Sequence, residues 1–266
     1  MANYFIMRRL KLTIAYDGRP WRGWQSQVGG VTVQDRLETV LGTLAGKRIV
    51  VLGSGRTDAG VHAHGQVAHI TVDDASLTAD RWMRAMNAKL PPSIRILHCE
   101  EAPMDFHARF DAISKVYAYR IWLPEVLSPF EDGLSWHPWG GVNRDLVRES
   151  AAILQGRHNF ARLSAKRSDE PEDEWRENPA RFVRDVSRVS VLEEQNVLRL
   201  EFEGEGFLYH MVRLMVGSIV RVARGRDTME WLRDLVANPN GERSNFCAPA
   251  AGLYLMQVKY PDQMDR

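Results

Sequence analysis

The chain has 266 residues, 44% of them hydrophobic and 26% charged, with 35 Lys and Arg against 34 Asp and Glu for a formal net charge of +1. That length buries one sizeable core or two smaller ones, and the composition excludes a disordered chain. Two cysteines, Cys99 and Cys247, are too few for a disulfide framework or a four-cysteine zinc site, and their thiols suit a reducing compartment. No apolar run approaches bilayer-spanning length, and the start MANYFIMRRLKLTIAYDG turns basic before any long apolar stretch, so a cytoplasmic protein without membrane insertion is expected. A near-zero net charge neither demands nor excludes a polyanionic partner, because phosphate affinity follows local patches.

Leu10 to Tyr16 alternates apolar and polar residues and runs into Asp17-Gly18, the pattern of a half-buried strand followed by a turn. Val33, Leu37, Val40, Leu41 and Leu44 fall at helical spacing, with Thr32 as N-cap and Asp35 as its capping partner. RIVVLGSG reads as a strand entering a glycine-rich turn, and GQVAHITVD as a strand leaving it. ADRWMRAMNAK, residues 79 to 89, is helical and stops before Pro91-Pro92, and IRILHCEEA is extended. The order β, α, β, β, α, β fits a split βαβ unit of ferredoxin-like type over residues 1–104.

A second unit, 105–266, opens with the strand Lys115 to Leu123, which places Val116, Ala118, Arg120 and Trp122 on one face and Tyr117, Tyr119 and Ile121 on the other. RDLVRESAAILQG reads as a helix ended by Gly156. RDVSRVSVLEE and VLRLEFEGEG read as a strand pair, and FLYHMVRLMVGSIVRVARG as the strongest helix, with Gly225 past its end. The densely charged stretch from Ser164 to Ala180 reads as a solvated loop.

The chemistry concentrates in GSGRTDAGVHAHGQ, residues 53 to 66, where a carboxylate, Asp58, stands two residues from Arg56. Neither a Walker A loop nor a GxGxxG ahead of a helix is completed there. His62, His64 and His69 invite a metal-hydrolase reading, but their spacing is unspecific and no cysteine lies near to close a site, so no metal is expected. Ser54, Asp58 and His62 do not complete the GxSxG elbow of a serine hydrolase.

GRTDAGVHA resembles the signature of the tRNA pseudouridine synthase A family, and further segments fall in that family's order. YDGRPWRGWQSQ with TVQDRLE is similar to its YDG, GWQ and TVQ-x-LE elements, MNAKLPPSIRI to its Asn-Ala-x-Leu-Pro segment, and FHARFDAISKVYAYRI to its F-x-A-R-F and Lys/Arg-x-Tyr-x-Tyr segments. FLYHMVRLMVG resembles its His-Met-Val-Arg helix and APAAGLYL its Ala-Pro-x-x-Gly-Leu close. Ser54 stands where alanine is commoner, and Trp21 where phenylalanine is commoner.

The resemblance implies an α+β fold of two ferredoxin-like domains joined through a continuous, mainly antiparallel sheet with helices on one side, the second domain completing the active-site cleft. It implies a cofactor-free isomerase that converts uridine to pseudouridine at positions 38 to 40 of the tRNA anticodon arm, acting as a homodimer on tRNA. Asp58 then takes the catalytic role, as a nucleophile on the sugar or as a base, in the way carboxylates serve glycosidases. Arg56 holds the target nucleotide out of its stem, Tyr117 stacks on the base, Arg213 bonds to Asp58, and Leu253 or Leu255 forms an apolar wall. A non-catalytic RNA-binding protein of the same fold is the alternative of another class.

Overall fold

In the computed structural model, which describes residues 7–73, 77–166 and 179–261, ten strands and five α-helices form an α+β protein among the described residues. The chain divides into two compact units, Met1–Ile113 together with Tyr254–Arg266, and Ser114–Leu253.

The first unit is built on β1 (Arg8–Tyr16), whose Leu10, Leu12 and Ile14 are wholly buried. It pairs antiparallel with β3 (His62–Val72), Leu12 opposite Ala68, and with β4 (Ile94–Ala102), Leu12 opposite Cys99. Lys11 breaks the alternation yet is also buried. Its ammonium meets Glu100 at 3.1 Å and lies 4.9 Å from the Tyr260 ring centroid, so the charge has a counter-ion and an aromatic face.

Helix α1 (Val33–Ala45) starts as the pattern requires: Thr32 accepts the Asp35 N–H at 3.2 Å and donates its hydroxyl to the Asp35 carboxylate. It buries Val33, Leu37, Val40 and Leu41. Its first amides also reach backward, Val33 N–H to the Gly23 carbonyl and Gln34 N–H to that of Trp24, both at 3.1 Å. Helix α2 (Ala79–Lys89) buries Trp82 and Met86 and stops before the prolines.

The strand expected over RIVVLGSG shrinks to β2 (Leu52–Gly53), which pairs with β3. The reason is local: Val51 N–H donates to Glu38 Oε1 and Val51 carbonyl accepts from Gln34 Nε2, so side chains of α1 satisfy the main chain that a sheet would have used. The last strand, β10 (Leu253–Lys259), lies parallel to β3 with Tyr254 opposite His62. The strand order of this unit is β4-β1-β3-β10, with β2 also on β3.

In the second unit β5 (Ser114–Trp122) pairs antiparallel with β9 (Val197–Gly204), and β9 with β8 (Arg188–Glu194). RDVSRVSVLEE is therefore two strands and not one. β7 (Val183–Val186) leaves the main sheet to pair with β6 (Gly156–Asn159), and at the break the Ser187 hydroxyl donates to the Glu203 carbonyl. Helix α3 (Arg144–Ile153) ends before Gly156, which begins β6 with φ +109° instead of capping the helix.

Helix α4 (Met211–Ala223) buries every residue except Arg213 and Arg221, which makes it the core of this unit. A Cβ on Gly217 would stand 1.9 Å from the Phe246 carbonyl oxygen, so the chain after α5 (Met229–Ala237) crosses α4 in direct backbone contact. Most of the charged stretch from Ser164 to Ala180, residues 167–178, lies outside the described residues. No helix among the described residues is long and apolar enough to cross a membrane.

Candidate active site

The loop between β2 and β3 carries Arg56 and Asp58, and its main chain rests on the Asp17–Trp24 segment. Trp24 N–H donates to the Thr57 carbonyl at 3.1 Å, Gly60 N–H to that of Trp21 at 3.3 Å, and Val61 N–H closes the turn on the Asp58 carbonyl at 3.1 Å. A Cβ on Gly18 would stand 2.2 Å from Val61 O, and one on Gly23, at φ +88°, 2.6 Å from Thr57 O. The glycines of YDG and GWQ thus let the loop settle against the Asp17–Trp24 segment.

Asp58 is half-buried, whereas Arg56 is exposed and donates its Nε to Gln25 Oε1 at 3.1 Å. That bond engages Nε of the guanidinium, whose terminal nitrogens form the fork suited in general to phosphate or a base edge. Sequence reasoning had not singled out Gln25, although it lies in the GWQ element.

The three histidines take separate tasks. His62, 2% exposed, accepts the Gly18 N–H on Nδ1 at 3.2 Å, lies 3.4 Å from Asp17 Oδ1 and stacks on Tyr254 at 4.6 Å; His64 stacks on the same ring at 5.5 Å. His69 accepts the Ala108 N–H at 3.0 Å, and burial, followed by the charges of Arg9 and His107, lowers its pKa to about 4. Among the described residues no group of three or more His, Cys, Asp or Glu could hold a metal ion. Ser54 directs its hydroxyl to Gln66 Oε1 at 2.7 Å, and His62 Nδ1 accepts the Gly18 N–H.

The second unit brings Tyr117, Arg213 and Leu253 onto one framework. Tyr117 on β5 sits opposite Phe202, with its ring edge-on to Phe207 at 5.1 Å. Arg213, in the first turn of α4, donates Nε to the Ala248 carbonyl at 2.8 Å, and Ala248 N–H returns a bond to the Arg213 carbonyl at 3.0 Å. Tyr119, wholly buried, donates its hydroxyl to the Pro249 carbonyl at 2.7 Å, and burial holds that hydroxyl neutral well above the usual tyrosine range. A Cβ on Gly252 would meet the Tyr119 ring at 2.7 Å. The close APAAGLYL is therefore clamped between Arg213 and Tyr119, and buried Leu253 emerges from that clamp into β10. From sequence Tyr119 had only a place on one face of its strand, and Phe207 carried no signal beyond its place before the helix.

A family model described as tRNA pseudouridine synthase matches residues 13–111 and 151–261. Similar full-length proteins include three described as tRNA pseudouridine synthase A. That of Akkermansia muciniphila is 44% identical over 260 residues, covering 97% of each chain. That of Solibacter usitatus is 39% identical, covering 96% of this chain and all of the relative, and that of Geobacillus kaustophilus 38%, covering 97% and 96%. The chain belongs to the tRNA pseudouridine synthase A family, and with that membership it is an enzyme, an isomerase.

Proposed function

We propose that this chain isomerises uridine to pseudouridine at positions 38 to 40 of the tRNA anticodon arm, with Asp58 as the reacting carboxylate and no cofactor. The observation that carries the reading is the clamp on the loop: the family's aspartate is half-buried on a turn held by main-chain bonds from Trp24 and Val61 N–H and by the Trp21 carbonyl, which accepts from Gly60 N–H. Detaching uracil, rotating it and rejoining it through carbon is redox-neutral, and it needs a fixed carboxylate and little water, not an electron carrier. Such a carboxylate serves either by attacking the sugar or by removing a proton while a glycal-like species forms.

The other residues serve the same uridine. Arg56 offsets the repulsion between carboxylate and phosphates and holds the extracted nucleotide. Tyr117 offers a face to the base, which tolerates the ring's rotation as directional bonds would not. Arg213 hydrogen-bonds Asp58, and Leu253 supplies an apolar wall. The Arg213 Nε bond to the Ala248 carbonyl fixes where the guanidinium sits, beside the close APAAGLYL, which supports a positioned arginine in the site.

We further read both units as ferredoxin-like halves of one sheet, an N-terminal domain with the catalytic loop, taken from sequence as 1–104, and a C-terminal domain, 105–266, that completes the cleft in a homodimer. The strand order β4-β1-β3 with β2 beyond, and the antiparallel β5-β9-β8 with α3 and α4, support this.

The test is tritium release from unmodified tRNA labelled at carbon 5 of uridine, with wild type and Asp58→Asn in parallel. The reading expects release by wild type alone, with tRNA binding kept by the variant, and the product mapped to the anticodon arm. Near-normal turnover by Asp58→Asn overturns the assignment, and binding without release by wild type favours an RNA-binding protein.

A further inference from the structure

Beneath the loop that carries Arg56 and Asp58 lies a set of buried polar side chains to which the proposed reaction gives no task. Tyr16 ends β1, Thr57 stands between Arg56 and Asp58, Ser54 enters the loop, and Gln66 lies on β3; all four are buried, Ser54 and Gln66 completely. The Tyr16 hydroxyl and Thr57 Oγ1 are 2.8 Å apart. Gln66 Oε1 accepts from Ser54 Oγ at 2.7 Å and from Val67 N–H at 3.1 Å, while its Nε2 donates to the Gly55 carbonyl at 3.0 Å. Two donors converging on Oε1 settle the orientation of the amide, so it is Nε2 that faces the Gly55 carbonyl. Burial pushes the Tyr16 hydroxyl far above its ordinary range, against hydrogen bonds from Thr57 and Gln66 that pull it down, so it stays neutral at any working pH.

The peptide groups around Arg56 are therefore gripped one after another. Ser54 N–H reaches the Val67 carbonyl at 2.7 Å, Gly55 carbonyl is held by Gln66, and Thr57 carbonyl by Trp24 N–H at 3.1 Å, with the Thr57 side chain on Tyr16. Nothing in cofactor, metal or RNA chemistry asks for a buried Tyr–Thr pair and a buried Ser–Gln pair here. Such a network does fix a loop, because a buried polar group that loses its partner is left desolvated and unsatisfied.

We infer that Tyr16, Ser54, Thr57 and Gln66 are positioning residues of the isomerisation: through Gly55 and Thr57 they set the backbone from which Arg56 and Asp58 project. The inference rests on the assignment of Asp58 made above. It also gives the buried Ser54 hydroxyl a task, as the second donor that locks the Gln66 amide.

The test compares wild type, Thr57→Val (same shape, no hydroxyl), Thr57→Ser (hydroxyl restored) and Gln66→Glu (donor to Gly55 replaced by an acceptor). Turnover on carbon-5-tritiated tRNA and amide exchange of the 53–62 peptide are both read. Thr57→Val and Gln66→Glu should lower kcat about 10- to 100-fold with KM within about threefold, since displacing a reacting group affects the transition state more than binding. Exchange should quicken in that peptide and stay unchanged in the rest of β1 and β3, and Thr57→Ser should recover both. Unchanged kcat with unchanged exchange overturns the inference, as does a kcat loss that Thr57→Ser shares in full. If either variant loses its cooperative melt, Tyr16→Phe and Ser54→Ala are judged by the same criteria. A wild type that binds tRNA without releasing tritium overturns the functional reading alone, and the exchange result still decides whether the network holds the loop.

Discussion

Gly18 and Val61 face each other so closely that a Cβ on the glycine would stand 2.2 Å from the valine carbonyl oxygen, and Val61 closes the turn that begins at Asp58. The nearest atoms are backbone, so neither side yields by a rotamer change. Gly18→Ala should destabilise the protein by about 1–3 kcal/mol and lower turnover by displacing the Asp58 turn. Urea midpoints and kcat measured together check this; a variant with wild-type midpoint and kcat would show that the loop does not depend on this approach.

Gln25 is held at both flanks, by Trp24 bonded to Thr57 and Gln34, and by Ser26 N–H on Gln34 Oε1 at 2.9 Å, so its side chain meets Arg56 from a set position. Gln25→Ala should change stability by no more than about 0.5 kcal/mol and weaken tRNA binding roughly fivefold, the equivalent of one hydrogen bond of about 1 kcal/mol. Gln25→Glu keeps the acceptor and should retain affinity. Anisotropy titrations of labelled tRNA distinguish the two, and equal affinity of Gln25→Ala and wild type would mean that Arg56 needs no such support.

Tyr119 and Pro249 make the bond that pins the chain just before Leu253. Tyr119→Phe leaves a carbonyl without its donor and should cost about 1–2 kcal/mol, seen as a lower denaturation midpoint. Because burial keeps this hydroxyl neutral well above the usual range, the cost should not vary between neutral and mildly alkaline pH. A cost that disappeared at alkaline pH would contradict that environment.

His69 links stability to acid. Its folded-state pKa of about 4 lies below the ordinary 6.5, so the unfolded chain binds a proton first as pH falls. Its contribution is whole above about 6.5, declines between 6.5 and 4, and levels off below, at most about 3 kcal/mol. Urea midpoints at several pH values should show this slope in wild type and a shallower one in His69→Asn, whose amide oxygen can still accept from Ala108. Parallel slopes would show that other groups carry the acid sensitivity.

The helices and most strands were legible because each reports a local period. Thr32 and Asp35 announced α1, the Pro91-Pro92 pair marked the end of α2, and Leu10, Leu12 and Ile14 traced the buried face of β1. Errors fell where a distant partner overruled the local pattern. Val51 gave its main chain to Glu38 and Gln34 instead of a sheet, and β7 left β8 to pair with β6.

By itself, the amino-acid sequence determined the alternation of strands and helices and the family motif that puts Arg56 and Asp58 on one loop, since both depend on residues a few positions apart. Only the tertiary structure decided that Gly18 and Gly23 lie under that loop, that Tyr16 and Gln66 grip it from below, and that the chain from Tyr254 joins the first unit beside β3. Those contacts join segments from 11 residues apart to well over half the length of the chain, and no spacing encodes them; they follow from which backbone groups are left to satisfy once the sheet has formed.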